Sequence, residues 1–367
     1  MDDEICFLTN VPAPYKIGLY NAIASRCRLH VIFLAQTEYM RQWKVGFDRA
    51  RFSYEFCRSR RLKLPRYESS YFFTVDPIVA LFKRRPCVLI VGPYSQPAML
   101  VTILAALLTR IPVVIWYESH RLSSLGGGGI SMVNRTIKRL LFRFASAVVV
   151  PGRASKAEVT GYGFPQNKLF VAPHSVDNRF FATPAGRWKG VERQEGVFTF
   201  LYVGQFIPRK NVTGLIDAFC EEFSSGEPVR LLLAGGRLEE GSYPTSNRIT
   251  SLGFVQTEDV PDLLGVADAL VLPSWKEVWG LVVNEAAASG KILLVSNRCG
   301  SAEIVREGEN GYTFDPADKA DFRRKLRMIA EAGVAYGAAS IQQDLEDRYN
   351  FDRMADAFLS AVESAGY

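Results

Sequence analysis

Pro273-Ser274-Trp275-Lys276-Glu277-Val278-Trp279-Gly280-Leu281-Val282-Val283-Asn284-Glu285-Ala286 is the stretch from which the fold of this chain is read. The apolar run before it, Ala269–Leu272, predicts a buried strand that ends at Pro273. A loop follows, and a helix begins near Gly280 or Leu281. The free backbone N–H groups at such a helix start form an anion site, and Gly280 lets a phosphate approach the backbone closely. Glu277 lies in the loop and Glu285 one turn inside the helix. A carboxylate pair so placed suits a hydroxyl-rich ligand, since each carboxylate accepts from two hydroxyls. Two glutamates at this separation occur often by chance; the strand, loop, glycine and helix around them give the pair its meaning.

The same alternation extends in both directions. Around the motif, Phe198–Val203, Val229–Ala234, Ile249–Gly253 and Ile292–Ser296 read as strands, alternating with helices at Asn211–Phe223, Val260–Val266, Leu281–Ser289 and Ala317–Ala332. Towards the N-terminus, strands are expected at Ile5–Thr9, Leu29–Ala35, Val88–Val91, Val113–Tyr117, Val148–Val150 and Leu169–Ala172. Helices are expected at Lys16–Ser25, Pro97–Thr109, Ile130–Phe144 and Ser155–Tyr162. Continuous Val/Ile/Leu strands separated by helices indicate parallel sheets covered on both faces, so the fold class is α/β. The polar, Pro- and Gly-broken stretch from Asn178 to Glu195 reads as a linker. The expected domains are residues 1–180, a linker at 181–197, and residues 198–351, with a last helix, Asp352–Ser364, crossing back onto the first domain. Thr37–Pro77 is the least regular region; its aromatic residues among many arginines suggest acceptor-side loops.

At 367 residues the chain exceeds what one core accommodates, which also favours two domains. Hydrophobic residues at 48% and charged residues at 22% are the composition of a soluble globular protein. No apolar run is long enough for a membrane-spanning helix, and the acidic start MDDEICFLTN does not read as a signal peptide. Six scattered cysteines without a Cys-x-x-Cys pair imply reduced thiols and a cytoplasmic protein, and three histidines argue against a histidine-rich metal centre. The net charge of +6 conceals a split: residues 1–185 balance to +14 and residues 186–367 to −8. The two halves are expected to face different partners.

A second element supports the motif. In Leu201-Tyr202-Val203-Gly204-Gln205-Phe206-Ile207-Pro208-Arg209-Lys210-Asn211 a strand runs into a glycine turn and then into a basic pair. Arg209 and Lys210 supply the charge a diphosphate needs without a metal. Gly235, after Leu231–Ala234, and Phe254, after the next strand, lie at further strand ends of the same half.

With Glu277 and Glu285 in this setting, together with Gly300-Ser301-Ala302-Glu303-Ile304-Val305 and Gly308-Glu309-Asn310-Gly311-Tyr312, the chain resembles glycosyltransferase family 4. The resemblance covers nearly the whole chain and is strongest from Phe198 to Phe314. It implies the GT-B fold of two facing Rossmann-like domains with a cleft between them. It further implies a retaining transfer from a UDP- or GDP-linked sugar, with no cofactor and no metal required. It gives Glu277 a contact to the transferred sugar and Glu285 the ribose. Gly204, Gln205, Arg209, Lys210, Gly235, Phe254, Trp279, Gly280, Leu281 and Val282 are expected around the donor. Gln205 stands where the family often has arginine, and Arg209 is expected to compensate.

In the first half, Pro14 and Tyr15 replace the glycine-rich loop of many relatives and are taken as lining the acceptor side. Gly92-Pro93-Tyr94-Ser95-Gln96 and Trp116-Tyr117-Glu118-Ser119-His120-Arg121 each follow a buried strand. Glu118 falls at the strand-end position that often carries a histidine in the family, and His120 lies two residues on. Either is a candidate to orient the acceptor or move its proton, with Glu118 preferred. Tyr94 and Arg121 are further acceptor candidates, Gly126–Gly129 reads as a mobile loop, and His174 reads as structural.

The runs Arg58–Lys63, Lys83-Arg84-Arg85 and Lys138-Arg139 with Arg143 suggest contact with anionic lipid or a lipid-diphosphate acceptor at the inner face of the cell membrane. On the helix Ile130–Phe144, Ile137, Leu140, Leu141 and Phe144 are expected to pack while the cations face out. No nucleic-acid recognition motif accompanies the charge. The leading reading is an enzyme of polysaccharide or glycolipid assembly. A GT-B-fold sugar-nucleotide epimerase and a non-catalytic nucleotide-sugar-binding subunit are the alternatives. An NAD-dependent dehydrogenase is disfavoured by the lack of Gly-x-Gly-x-x-Gly with a following acidic residue.

Overall fold

The computed structural model describes residues 4–37, 45–64, 69–92, 94, 96–119, 132–184, 186, 190–236, 248–332 and 337–366. Those residues divide into two compact units, one running to Pro173 and resuming at Phe351–Tyr367, the other comprising His174–Asn350.

The first unit is built on a parallel sheet of β1 (Glu4–Thr9), β2 (Arg28–Phe33), β3 (Ser53–Phe56), β6 (Val88–Val91), β7 (Val113–Trp116), β8 (Ala147–Val150) and β9 (Leu169–Val171). The strand order is β3-β2-β1-β6-β7-β8-β9, with β4 (Arg60–Leu64) and β5 (Ser69–Phe73) forming a separate antiparallel pair. Strands such as Val88-Leu89-Ile90-Val91 are buried at every position because helices cover both faces of the sheet. On one face, Cys6, Leu8, Leu89, Val91, Ile115 and Val148 pack against α2 (Asp76–Arg84), α3 (Pro97–Leu108), α4 (Met132–Phe144) and α5 (Arg153–Gly161). On the other, Phe7, Ile90, Trp116 and Val149 pack against α1 (Pro14–Ala24) and α12 (Phe351–Ser364). The last helix thus completes the first unit. Any Cβ at Gly18 of α1 would overlap the ring of Phe351 at its start, which measures how closely the two helices approach.

The second unit repeats the plan with β10 (Phe198–Val203), β11 (Val229–Ala234), β12 (Ile249–Gly253), β13 (Ala269–Leu272), β14 (Ile292–Ser296) and β15 (Gly311–Phe314), in the order β12-β11-β10-β13-β14-β15, all parallel. Its helices are α6 (Asn178–Ala182), α7 (Val212–Glu222), α8 (Val260–Val266), α9 (Val282–Ala288), α10 (Lys319–Ala332) and α11 (Ala338–Arg348).

Three expectations are corrected here. The boundary between the units lies at Pro173/His174 rather than at a linker spanning 181–197. Asp177 caps α6 by accepting from the Phe180 N–H at 3.1 Å, and Phe181 is buried in the core of the second unit. The polar letters of that stretch concealed one apolar anchor. Secondly, Thr37–Pro77 contributes three strands, whose mixed charge masks a period-two pattern: in β5, Phe72 is buried while Tyr71 and Phe73 are exposed. Thirdly, Lys138 does not face out. It is buried and donates to Glu158 of α5 at 2.8 Å, with the Tyr117 ring 5.2 Å from its ammonium. Leu140 and Phe144, expected to pack, are exposed instead. The Gly126–Gly129 loop lies outside the described residues.

Candidate functional site

The strand order explains why the two motifs of the second unit meet. From β10 the chain proceeds outward through β11 and β12; from β13 it proceeds the opposite way through β14 and β15. β10 and β13 are therefore adjacent at the point where the order reverses, and the loops leaving their carboxyl ends diverge around a ligand position. The loop after β10 carries Gly204 to Lys210, and the loop after β13 carries Pro273 to Gly280.

Three bonds fasten these loops together. The Trp275 N–H donates to the Arg209 carbonyl at 2.9 Å, and the Asn211 amide donates to the Pro273 carbonyl at 3.1 Å. Asn211 adopts a left-handed conformation, φ 56°, which ends the basic turn and starts α7. The third bond is the ion pair itself. Lys210 Nζ donates to Glu277 Oε2, and Arg209 Nη1 reaches the same oxygen at 3.2 Å. Burial pushes the Glu277 carboxyl up, but the cations of Lys210 and Arg209 outweigh it and hold the group below the usual carboxylate range. Glu277 is thus an anion at neutral pH, largely shielded from water, with two cations on one oxygen.

The backbone around it is equally constrained. The Gly300 N–H donates to the Glu277 carbonyl at 3.2 Å and the Ser301 N–H to the Trp279 carbonyl at 3.0 Å, so the Gly300-Ser301 segment braces the loop. Gly280 has φ +100°, and a side chain there would come within 2.6 Å of Leu272. Only glycine fits both demands without strain. Beyond it, the N–H groups of Leu281 and Val282 carry no hydrogen bond among the described residues, as expected at a helix start. Across the sheet, the Gly204 N–H donates to Ala234 O at 2.9 Å and the Gly235 N–H to Gly253 O at 2.7 Å. A Cβ on Gly235 would overlap the Gly204 carbonyl oxygen. Phe254, just past β12, keeps 49% of its surface exposed and packs against Gly236. Gln205 offers its carbonyl to the Tyr202 hydroxyl at 2.8 Å.

Glu285 differs from Glu277. It lies in the first turn of α9 and is partly buried, and its carboxylate has no hydrogen bond or ion pair among the described residues. Burial alone pushes its carboxyl up to about 7. The folded protein therefore holds a proton there between about pH 4.5 and 7 that the unfolded chain has released, and stability falls as pH rises through that window. Glu285→Gln is expected to flatten this slope and to raise the melting temperature of the free protein at pH 8. Melting curves of both proteins from pH 5 to 8 check it; equal slopes would show that Glu285 is not the titrating group.

In the first unit, Glu118 follows β7 and pairs with Lys16 Nζ at 3.7 Å. Lys16, buried in α1, also donates to Thr9 Oγ1 at 3.4 Å and lies 4.6 Å from the centroid of the Trp116 ring. The sequence reading missed Lys16 because a lysine near the start of a helix ordinarily reads as a solvated cation. Pro14 opens α1, and Tyr15 beside it is partly buried. Tyr94 stacks on Tyr117, with ring centroids 5.6 Å apart and planes at 10°.

The comparisons match this architecture unit by unit. The family model described as "Glycosyl transferase 4-like domain" matches residues 16–174, and "Glycosyl transferases group 1" matches residues 188–336. The chain belongs to the GT4-type glycosyltransferases. Its fold is GT-B. The structure of HepE from Anabaena in complex with UDP and glucose covers 99% of this GT4-type chain and all of its own, at TM-score 0.73 and 19% identity. Sucrose-phosphate synthase from Thermosynechococcus elongatus gives TM-score 0.75 at 16% identity, over 97% of each chain. A curated glycogen synthase of Mycobacterium tuberculosis is 27% identical over 252 residues, 65% of this chain and 59% of the synthase. The chain thus matches about three fifths of that relative's length.

The structure brings Gly204, Gln205, Arg209, Lys210, Gly235, Phe254, Gly280, Leu281, Val282, Glu277 and Glu285 to neighbouring strand ends of one sheet. Trp279 does not join them. It is 3% exposed and its indole N–H donates at 2.8 Å to Asn284, whose amide donates to the His174 carbonyl at 2.8 Å. Trp279 is a core residue of this GT4-type fold. An aromatic in a motif loop is as readily an anchor for the loop as a ligand contact, and here the flanking apolar residues decide it. His120 and Arg121 lie outside the described residues. Ser274 and Ser301 were missed: both hydroxyls are buried without a partner among the described residues, and both flank the Glu277 loop. Among the described residues no group of three His, Cys, Asp or Glu side chains is arranged to hold a metal ion, and no helix is long and apolar enough to cross a membrane.

Proposed function

We propose that the chain is a retaining glycosyltransferase whose second unit binds a UDP- or GDP-linked sugar and whose first unit holds a glycan or lipid-linked acceptor. The observation that carries this reading is the Arg209–Lys210–Glu277 cluster at the strand-order reversal of the second sheet. Two cations and free helix-start N–H groups suit a diphosphate, and a shielded carboxylate beside them suits sugar hydroxyls. HepE, a structural neighbour of the same fold, was solved with UDP and glucose.

In this reading the diphosphate takes over the cations that Glu277 holds in the free protein, and the carboxylate turns to the sugar. The acceptor hydroxyl attacks the anomeric carbon as the bond to the diphosphate breaks. The electron pair stays on the departing phosphate oxygen, and that oxygen receives the acceptor proton on the same face. Arg209 and Lys210 stabilise the leaving charge, so no metal is required. Glu118, already paired with a buried cation, orients the acceptor. Glu285 binds the ribose as a carboxylate, so donor affinity rises as pH passes 7. The product belongs to a polysaccharide or glycolipid, and the enzyme works in the cytoplasm at the inner face of the membrane.

A panel of UDP-, GDP- and ADP-sugars tests this. One donor is expected to raise the melting temperature and to undergo slow hydrolysis without acceptor. At one hundred times the dissociation constant the stabilisation is about 2.7 kcal/mol. Neither binding nor hydrolysis with any nucleotide sugar would refute the transferase reading and favour a binding scaffold.

A further inference from the structure

The helices α2, α3 and α4 all pack on one face of the first sheet, so their outer sides look the same way. Those outer sides are apolar. Val79 and Phe82 of α2 are each 60% exposed, and Leu108 of α3 is 77% exposed. Val101 and Leu104 of α3 and Leu140 and Phe144 of α4 are at least half exposed. These are not scattered. Val101, Leu104 and Leu108 recur with the spacing of one helix face, as do Leu140 and Phe144. α3, PAMLVTILAALL, carries no charged residue at all, which is the pattern of a helix covered on both sides.

Cations frame this face. Lys83 and Arg85 close α2, Arg110 follows α3, and Arg135, Arg139 and Arg143 repeat every fourth residue along α4, all exposed. Asp76 is the only carboxylate in the three helices, and it accepts from the Arg58 N–H at 2.6 Å. An apolar stripe between rows of arginine and lysine, with almost no opposing charge, matches an anionic bilayer surface: acyl chains for the stripe, headgroup phosphates for the rim. A second copy of this chain would set the cationic rows against one another.

We propose that the outer face of α2, α3 and α4 docks the protein on anionic lipid, with Val101, Leu104 and Leu108 entering the acyl boundary. The proposal rests on the membrane contact in the functional reading and not on the donor chemistry, so its test reads binding rather than turnover.

The experiment is co-sedimentation of the full chain with phosphatidylcholine vesicles containing none or a third phosphatidylglycerol, at low and high salt. The native protein is expected to sediment with the anionic vesicles only, less at high salt. The triple variant Val101→Ser/Leu104→Ser/Leu108→Ser is expected to lose at least about tenfold in partitioning at either salt. Arg135→Gln/Arg139→Gln/Arg143→Gln is expected to lose about fivefold per cation and most of its salt dependence. Unchanged circular dichroism and melting establish that both variants fold. The proposal is overturned if the native protein stays in the supernatant, or if folded variants sediment as it does. It is equally overturned if the native protein is a dimer in solution and the serine variant a monomer, which would make the face an interface between copies.

Discussion

Glu277→Gln is expected to lower turnover by about 10²–10³-fold while the fold and nucleotide binding persist. Glutamine keeps the size and hydrogen-bonding reach of the side chain but removes the charge. Lys210 and Arg209 would then face the diphosphate without a competing anion, so nucleotide binds at least as tightly. What is lost is the negative group beside the reacting sugar, where positive charge develops as the diphosphate departs. Single-turnover transfer or hydrolysis, with nucleotide affinity measured alongside, separates the two effects. A variant that turns over within a few-fold of the native enzyme would remove Glu277 from the reacting centre.

Lys138→Met is expected to destabilise the first unit by about 3–5 kcal/mol. Glu158 lies 7% exposed and has lost no solvent penalty by pairing; its partner only offsets that penalty. Without Lys138 the carboxylate is a buried, uncompensated charge. The melting temperature of the first unit should fall by roughly 10 °C at pH 7. It should recover largely in Lys138→Met/Glu158→Gln, where no buried charge is left. Equal melting of the single and the double variant would show that the pair is not the source of the loss.

The residues that made the architecture legible are the continuous apolar strands, Val88–Val91 and Ala269–Leu272 among them, because short Val/Ile/Leu runs between helical patterns fit parallel strands buried on both faces. The Arg209–Lys210–Glu277 cluster was legible for a related reason. Glycine at 280, and the basic pair at 209 and 210, answer local demands of backbone and charge that survive any loop rearrangement. Trp279, Lys138 and Lys16 misled or escaped because their surroundings are assembled from distant segments. Nothing near residue 279 in the sequence announces the carbonyl of His174, and nothing near 138 announces Glu158. Similarly, β3, β4 and β5 hide in a charged region because they offer few buried apolar side chains, Phe72 among them, while Tyr71 and Phe73 stay exposed. The exposed stripe of α3 was not legible in the sequence, since periodicity cannot say which side of an all-apolar helix has a partner.

In the proposed function Lys210, with Arg209, receives the diphosphate of a nucleotide sugar in the second unit. Calorimetric titration of UDP and GDP into the native protein and Lys210→Ala tests it most directly. One nucleotide is expected to bind the native protein and to bind Lys210→Ala about tenfold more weakly, as for loss of a charged hydrogen bond. Equal affinity for both proteins, or no affinity of the native protein for either nucleotide, would contradict it.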